Sequence, residues 1–112
     1  MNYSITFEGS LKLNKKLDDY LYETLVEYSE EEHSLLTEPS VWCDWVPSED
    51  RTEIVWNGSE DTRATKEWLE FLIQWFFKPR NYILNGRLEW SDNEGNKGYY
   101  EVINNKVEEG EL

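Results

Sequence analysis

Alternation opens the chain. Tyr3, Ile5, Phe7, Leu11 and Leu13 share one face with Gly9, while Ser4, Thr6, Glu8, Ser10 and Lys12 share the other. A period of two over this length predicts a half-buried strand, with a bulge or bend at Gly9. After Asn14, a residue able to cap a helix, the period lengthens: Leu17, Tyr20, Leu21, Thr24, Leu25 and Tyr28 form the inward stripe of an amphipathic helix. Residues 33–51 have no period and read as an irregular connection carrying Trp42 and Trp45. Thr52 to Trp56 reads as a short strand closed by Asn57-Gly58-Ser59. Ser59, Asp61 or Thr62 is placed to cap a second helix, which runs to about Phe77 and stops at Lys78-Pro79. Trp68, Leu69, Phe71, Leu72, Ile73, Trp75, Phe76 and Phe77 cover most of its circumference. A helix of that kind is buried on more than one side, either inside the domain or as half of a homodimer interface over residues 62–77.

From Tyr82 the alternation returns. Leu84, Gly86, Leu88 and Trp90 face one way, and Asn85, Arg87 and Glu89 the other. The polar stretch 92–96 turns the chain into a strand from Lys97 to Ile103, and Asn104-Asn105 fits a two-residue hairpin turn into Lys106–Glu109. The order β-α-β-α-β-β-β predicts one α+β domain spanning residues 1–112. Two helices pack on one face of a mainly antiparallel sheet of four to five strands, and the tail 109–112 frays.

The polar side of the first helix changes this ordinary picture. Asp19, Glu23, Glu27 and Glu30 stand at i, i+4, i+8 and i+11, one column on the solvent face. Like charges at that spacing destabilise a helix by a few tenths of a kcal/mol per pair, roughly. Glu30-Glu31-Glu32 then falls where the helix dipole disfavours negative charge. A solvated face of an acidic protein is the plain explanation, and these two local costs weigh against it. The chain as a whole carries a net charge of −13, which repels nucleic acid and anionic membranes and attracts basic proteins. Acids on successive turns rise by about 6 Å, close to the roughly 7 Å spacing of alternate phosphates along a DNA strand. The column therefore offers a nucleic-acid-binding protein a rough copy of its usual ligand. Asp18, Glu31 and Glu32 widen the row, and Glu49, Asp50, Glu60 and Asp61 in nearby loops are secondary candidates.

Other chemistry is poorly represented. Six Trp, seven Tyr and four Phe at helical and strand spacings are core material, each able to bury about 150–250 Å². His33 is the only histidine and Cys43 the only thiol. Between Trp42 and Trp45 the thiol is expected to be buried and inert, and His33, in an acidic run, to be exposed. Zinc spacing is lacking. The stretch 92–96 resembles a calcium loop only superficially, because Ile103 stands where a bidentate Glu belongs. No cofactor, metal or enzymatic activity is expected. A lone cysteine, no leader and no long apolar run point to the bacterial cytoplasm.

Four strings carry a resemblance: Ile5-Thr6-Phe7-Glu8-Gly9-Ser10-Leu11, Trp42-Cys43-Asp44-Trp45-Val46-Pro47, Glu67 through Ile73, and Leu84-Asn85-Gly86-Arg87-Leu88-Glu89-Trp90. Together they resemble small acidic proteins of bacterial phages and prophages. The likeness spans nearly the whole chain, but at apolar, turn and Trp positions, so it implies a shared fold and no site. Phage accessory proteins of this size and charge include inhibitors of host defence nucleases, the anti-CRISPR proteins among them. The expectation is thus a non-enzymatic inhibitor that binds a basic nucleic-acid-binding protein such as a CRISPR effector. The alternatives are an immunity or antitoxin-like protein neutralising a basic toxin, and a homo-oligomeric structural or virion accessory protein.

Overall fold

The opening alternation becomes a central strand. In a computed structural model that describes residues 3–34, 37–59 and 62–112, Ile5–Leu13 is β1, followed by α1 (Asp19–Glu30), β2 (Trp45–Pro47) and β3 (Glu53–Trp56). Then come α2 (Thr65–Leu72), β4 (Leu84–Asp92), β5 (Lys97–Ile103) and β6 (Lys106–Glu111). The fold is α+β, and its six strands form one antiparallel sheet in the order β2-β3-β1-β4-β5-β6. One strand more than expected is present, β2, inside the stretch expected to be irregular. It pairs Trp45 with Trp56 and Pro47 with Ile54. Three residues are too few to show a period, so its strand character comes from β3 alone.

Gly9 is not a bulge. The β1–β4 register runs unbroken from Ile5 opposite Asp92 to Leu13 opposite Leu84. What the position requires is backbone freedom and closeness: Gly9 has φ +100°, and a Cβ there would stand 2.7 Å from the Arg87 carbonyl oxygen. Gly86, diagonally across, has φ +148° and the same crowding against Ser10. Ile5, Phe7, Leu11, Leu84, Leu88, Tyr100, Val102 and Val107 line the buried face of the sheet. They share one core with Leu21 and Leu25 of α1 and with Trp68, Leu69 and Leu72 of α2. The opposite sheet face carries Glu8, Lys12, Arg87, Glu89 and Glu108, all exposed.

Other expectations need correction. Asp18, not Asn14, caps α1, its Oδ1 accepting from the Leu21 N–H at 2.7 Å; Asn14 instead accepts from the Ile83 N–H at 2.8 Å. Tyr20 is 61% exposed, held outside by the Arg80 guanidinium stacked on its ring. α2 has no side-chain cap: it starts after Ala64 in the left-handed region (φ 52°). Thr62 is buried, accepting from Trp56 Nε1 at 2.9 Å and donating to the Ser59 carbonyl. Asp61 lies outside the described residues. Past Leu72 the helix widens into a π turn (Ile73–Phe77) and then a 3₁₀ turn (Lys78–Arg80). The wider turn shifts the phase so that Ile73 and Phe77 both point inward, leaving Trp75, expected in the core, 64% exposed. The two loop tryptophans separate: Trp45 is 2% exposed and Trp42 43%. Residues 109–111, expected to fray, are paired in β6, because the Asn104-Asn105 turn brings them back along β5.

Candidate functional site

The acidic column stands where its spacing places it, on the exposed side of α1, opposite buried Leu21 and Leu25. Its members are not equivalent. Asp18 is committed to the helix cap, and its own N–H donates to the Tyr82 hydroxyl at 3.1 Å. Asp19 forms an ion pair with Arg51, whose guanidinium also stacks on the Tyr22 ring at 4.3 Å. Glu23, Glu27 and Glu30 are exposed and make no hydrogen bond or ion pair with any described residue. The helix ends at Glu30, and Glu31 turns away in extended conformation (φ −106°, ψ 145°). Glu31, the C-cap, and Glu32 are exposed at the end of the helix, and the dipole cost falls on Glu27 and Glu30 in the last turn and on Glu31 at the cap.

The β2–β3 turn abuts the other end of α1, through the Leu17 N–H donating to the Arg51 carbonyl at 2.9 Å. Glu49 and Asp50 are exposed there. Asp50 serves the turn: hydrogen bonds from the Ser48 and Thr52 hydroxyls and the Thr52 N–H hold its carboxyl below the ordinary range. Glu60 and Asp61 lie outside the described residues. The face is thus graded. Lys15, Lys16 and Arg51 sit near its start, and carboxylates alone continue from Glu23 to Glu32.

Charge along the chain sharpens this. Residues 17–50 hold eleven Asp and Glu and no Lys or Arg, leaving thirteen acids and all eleven cations to the rest. Almost the whole net charge therefore belongs to α1 and the segment behind it. The folded sheet adds acids that spacing alone does not reveal: Glu8 lies directly opposite Glu89, and Glu101 opposite Glu108. The only signal in the sequence is Glu on the polar phase of successive strands, and it gains meaning only once the register is known.

His33 is not exposed. It is half-buried, stacked on Tyr28 with centroids 4.1 Å apart, and its Nε2 lies 2.6 Å from the Tyr28 carbonyl in the last turn of α1. Tyr28 in turn donates to Glu38 at 3.0 Å. Burial pushes the Cys43 thiol up to about 12, so it stays protonated and a poor nucleophile. Among the described residues no group of His, Cys, Asp and Glu is placed to hold a metal ion, and no helix is long and apolar enough to cross a membrane. A cleft of about 1310 Å³ opens between the start of α2 and one end of the sheet, with Tyr3, Trp90, Tyr100, Lys66 and Glu109 in its walls. Two pairs of its polar groups are engaged with each other: Lys66 pairs with Glu109 at 3.6 Å, and the Thr65 and Tyr100 hydroxyls lie 2.6 Å apart. Comparison with protein families, with curated proteins and with solved structures finds no match to this chain.

Proposed function

We propose that the protein is a non-enzymatic inhibitor of the phage type that binds the basic nucleic-acid-binding surface of a bacterial defence nuclease, in the manner of an anti-CRISPR protein. The observation that carries this reading is the cation-free segment 17–50, with Glu23, Glu27, Glu30, Glu31 and Glu32 exposed and unpaired among the described residues. Carboxylates without an internal partner pay no cost of breaking one when Lys and Arg of another protein approach. They meet those side chains in charge-assisted hydrogen bonds where phosphates otherwise lie. Concentrating the charge on one side also speeds and orients the encounter. Glu49 extends the contact at the start of α1, while Asp18, Asp19 and Asp50 support the scaffold. Exposed Trp75, beside half-buried Phe71 and Phe76, favours self-association as the second reading, which sedimentation at increasing concentration tests.

The test of the first is capture from a nuclease-treated bacterial lysate containing CRISPR effectors, at about 0.1 M salt, where charges act over about 10 Å. The expected result is a nucleic-acid-binding protein that added duplex DNA releases and that the Glu23→Lys/Glu27→Lys variant fails to hold. Equal capture by a folded variant moves the contact off α1. Capture of no basic protein overturns the proposal.

A further inference from the structure

The two edges of the sheet are built differently. β2 closes one edge with three residues and ends in Pro47, which has no N–H to offer. β6 closes the other with six residues, no proline and an unbroken register from Ile103 opposite Lys106 to Gly98 opposite Glu111. The Leu112 N–H donates to the Lys97 carbonyl at 3.2 Å, which sets the phase of this ladder. Lys106, Glu108 and Gly110 turn their backbone groups toward β5, and Val107, Glu109 and Glu111 turn theirs outward. No described residue hydrogen-bonds to those outward groups. The α2 helix reaches β6 through the Lys66–Glu109 pair, which joins side chains and leaves the backbone groups in the plane of the sheet.

We propose that β6 is a docking edge that accepts an extended basic segment of a partner protein as a seventh strand. Main-chain hydrogen bonds to Val107, Glu109 and Glu111 supply the pairing, and charge supplies the selection. Glu108, Glu109 and Glu111 outnumber the two cations beside them, Lys106 near Glu108 and Lys66 of α2 paired with Glu109. A second copy of the chain would lay the same carboxylates beside them, a like-charge arrangement that destabilises a strand pair. A strand with Lys or Arg at alternate positions meets them with opposite charge. The charge that keeps copies of this protein apart is thus the feature that selects the partner strand. This surface is separate from the exposed face of α1 and stands independently of the function proposed for it.

Titration of the labelled protein with a blocked hexapeptide of alternating Lys and Val, followed by amide NMR and hydrogen exchange, tests the edge. Val107, Glu109 and Glu111 amides are expected to shift and to exchange more slowly, with the effect lost at high salt and missing for the matching Glu-Val peptide. Glu109→Pro removes an outward N–H together with the Glu109 carboxylate and its pair with Lys66, and should weaken peptide binding at least about fivefold; Glu23→Lys/Glu27→Lys should leave it unchanged. If Glu109→Pro disturbs β6, exchange protection in the unaltered protein still decides. Shifts confined to α1, no shifts at all, or slowed exchange that grows with protein concentration without peptide would each overturn the proposal, the last in favour of a second copy.

Discussion

Two acidic surfaces of this molecule obey opposite rules. On the open face of the sheet, Glu8 faces Glu89 and Glu101 faces Glu108, pairings that destabilise strands on their own. Arg87 offsets them: it lies opposite Glu101, pairs with Glu89 at 3.2 Å and stacks on the Tyr99 ring at 4.1 Å. Lys12 stands opposite Glu53, and Lys106 lies 3.8 Å from Glu108. Every acid on that face has a cation within its own strand or the next. From Glu23 to Glu32 no cation stands among the acids on α1. A fold that interleaves charge on one surface and omits it on another has left the second uncompensated, and an external partner is what would compensate it.

Charge reversal breaks this comparison most sharply. Glu23→Lys/Glu27→Lys should lower affinity for the captured partner about 100-fold at low salt. The same reversal at Glu89 and Glu101 should change it less than about threefold; calorimetric titration of both variants decides, and equal losses would mean that net charge alone matters. Next in size is Gly9→Ala, which forces a Cβ against the Arg87 carbonyl oxygen at positive φ and should cost about 3 kcal/mol in urea denaturation, with partner affinity of the folded fraction unchanged. Within the acidic face itself, Asp18→Ala should lose about 1 kcal/mol as a helix cap, whereas Glu27→Ala should stay within about 0.5 kcal/mol. A costly Glu27→Ala would show that the column is structural after all.

The smallest effect is in pH. Asp50 has a folded pKa depressed by the Ser48 and Thr52 hydrogen bonds. Its contribution to stability is therefore complete above the unfolded Asp value of about 3.9 and is lost as pH falls through the lower folded value. NMR titration should place its midpoint below that of an ordinary Asp, and Asp50→Asn should flatten this part of the stability profile. An ordinary midpoint would return Asp50 to the pool of free acids.

Periodicity is a local property, and what it governs was legible in the chain: β1, α1, the long strand β4, the Asn104-Asn105 hairpin and the solvent exposure of Glu23, Glu27 and Glu30. Each follows from residues within a turn or two of one another. Tertiary structure decided everything that needs a partner distant in sequence. It made a strand of Trp45–Pro47, buried Trp45 while exposing Trp42 and Trp75, stacked His33 on Tyr28, and drew Asp19 to Arg51. It also set the acids of the open sheet against one another and left β6 as the unblunted edge. The spacing of acids on α1 is written in the sequence, but which of them are already engaged depends on side chains that only folding brings within hydrogen-bonding distance.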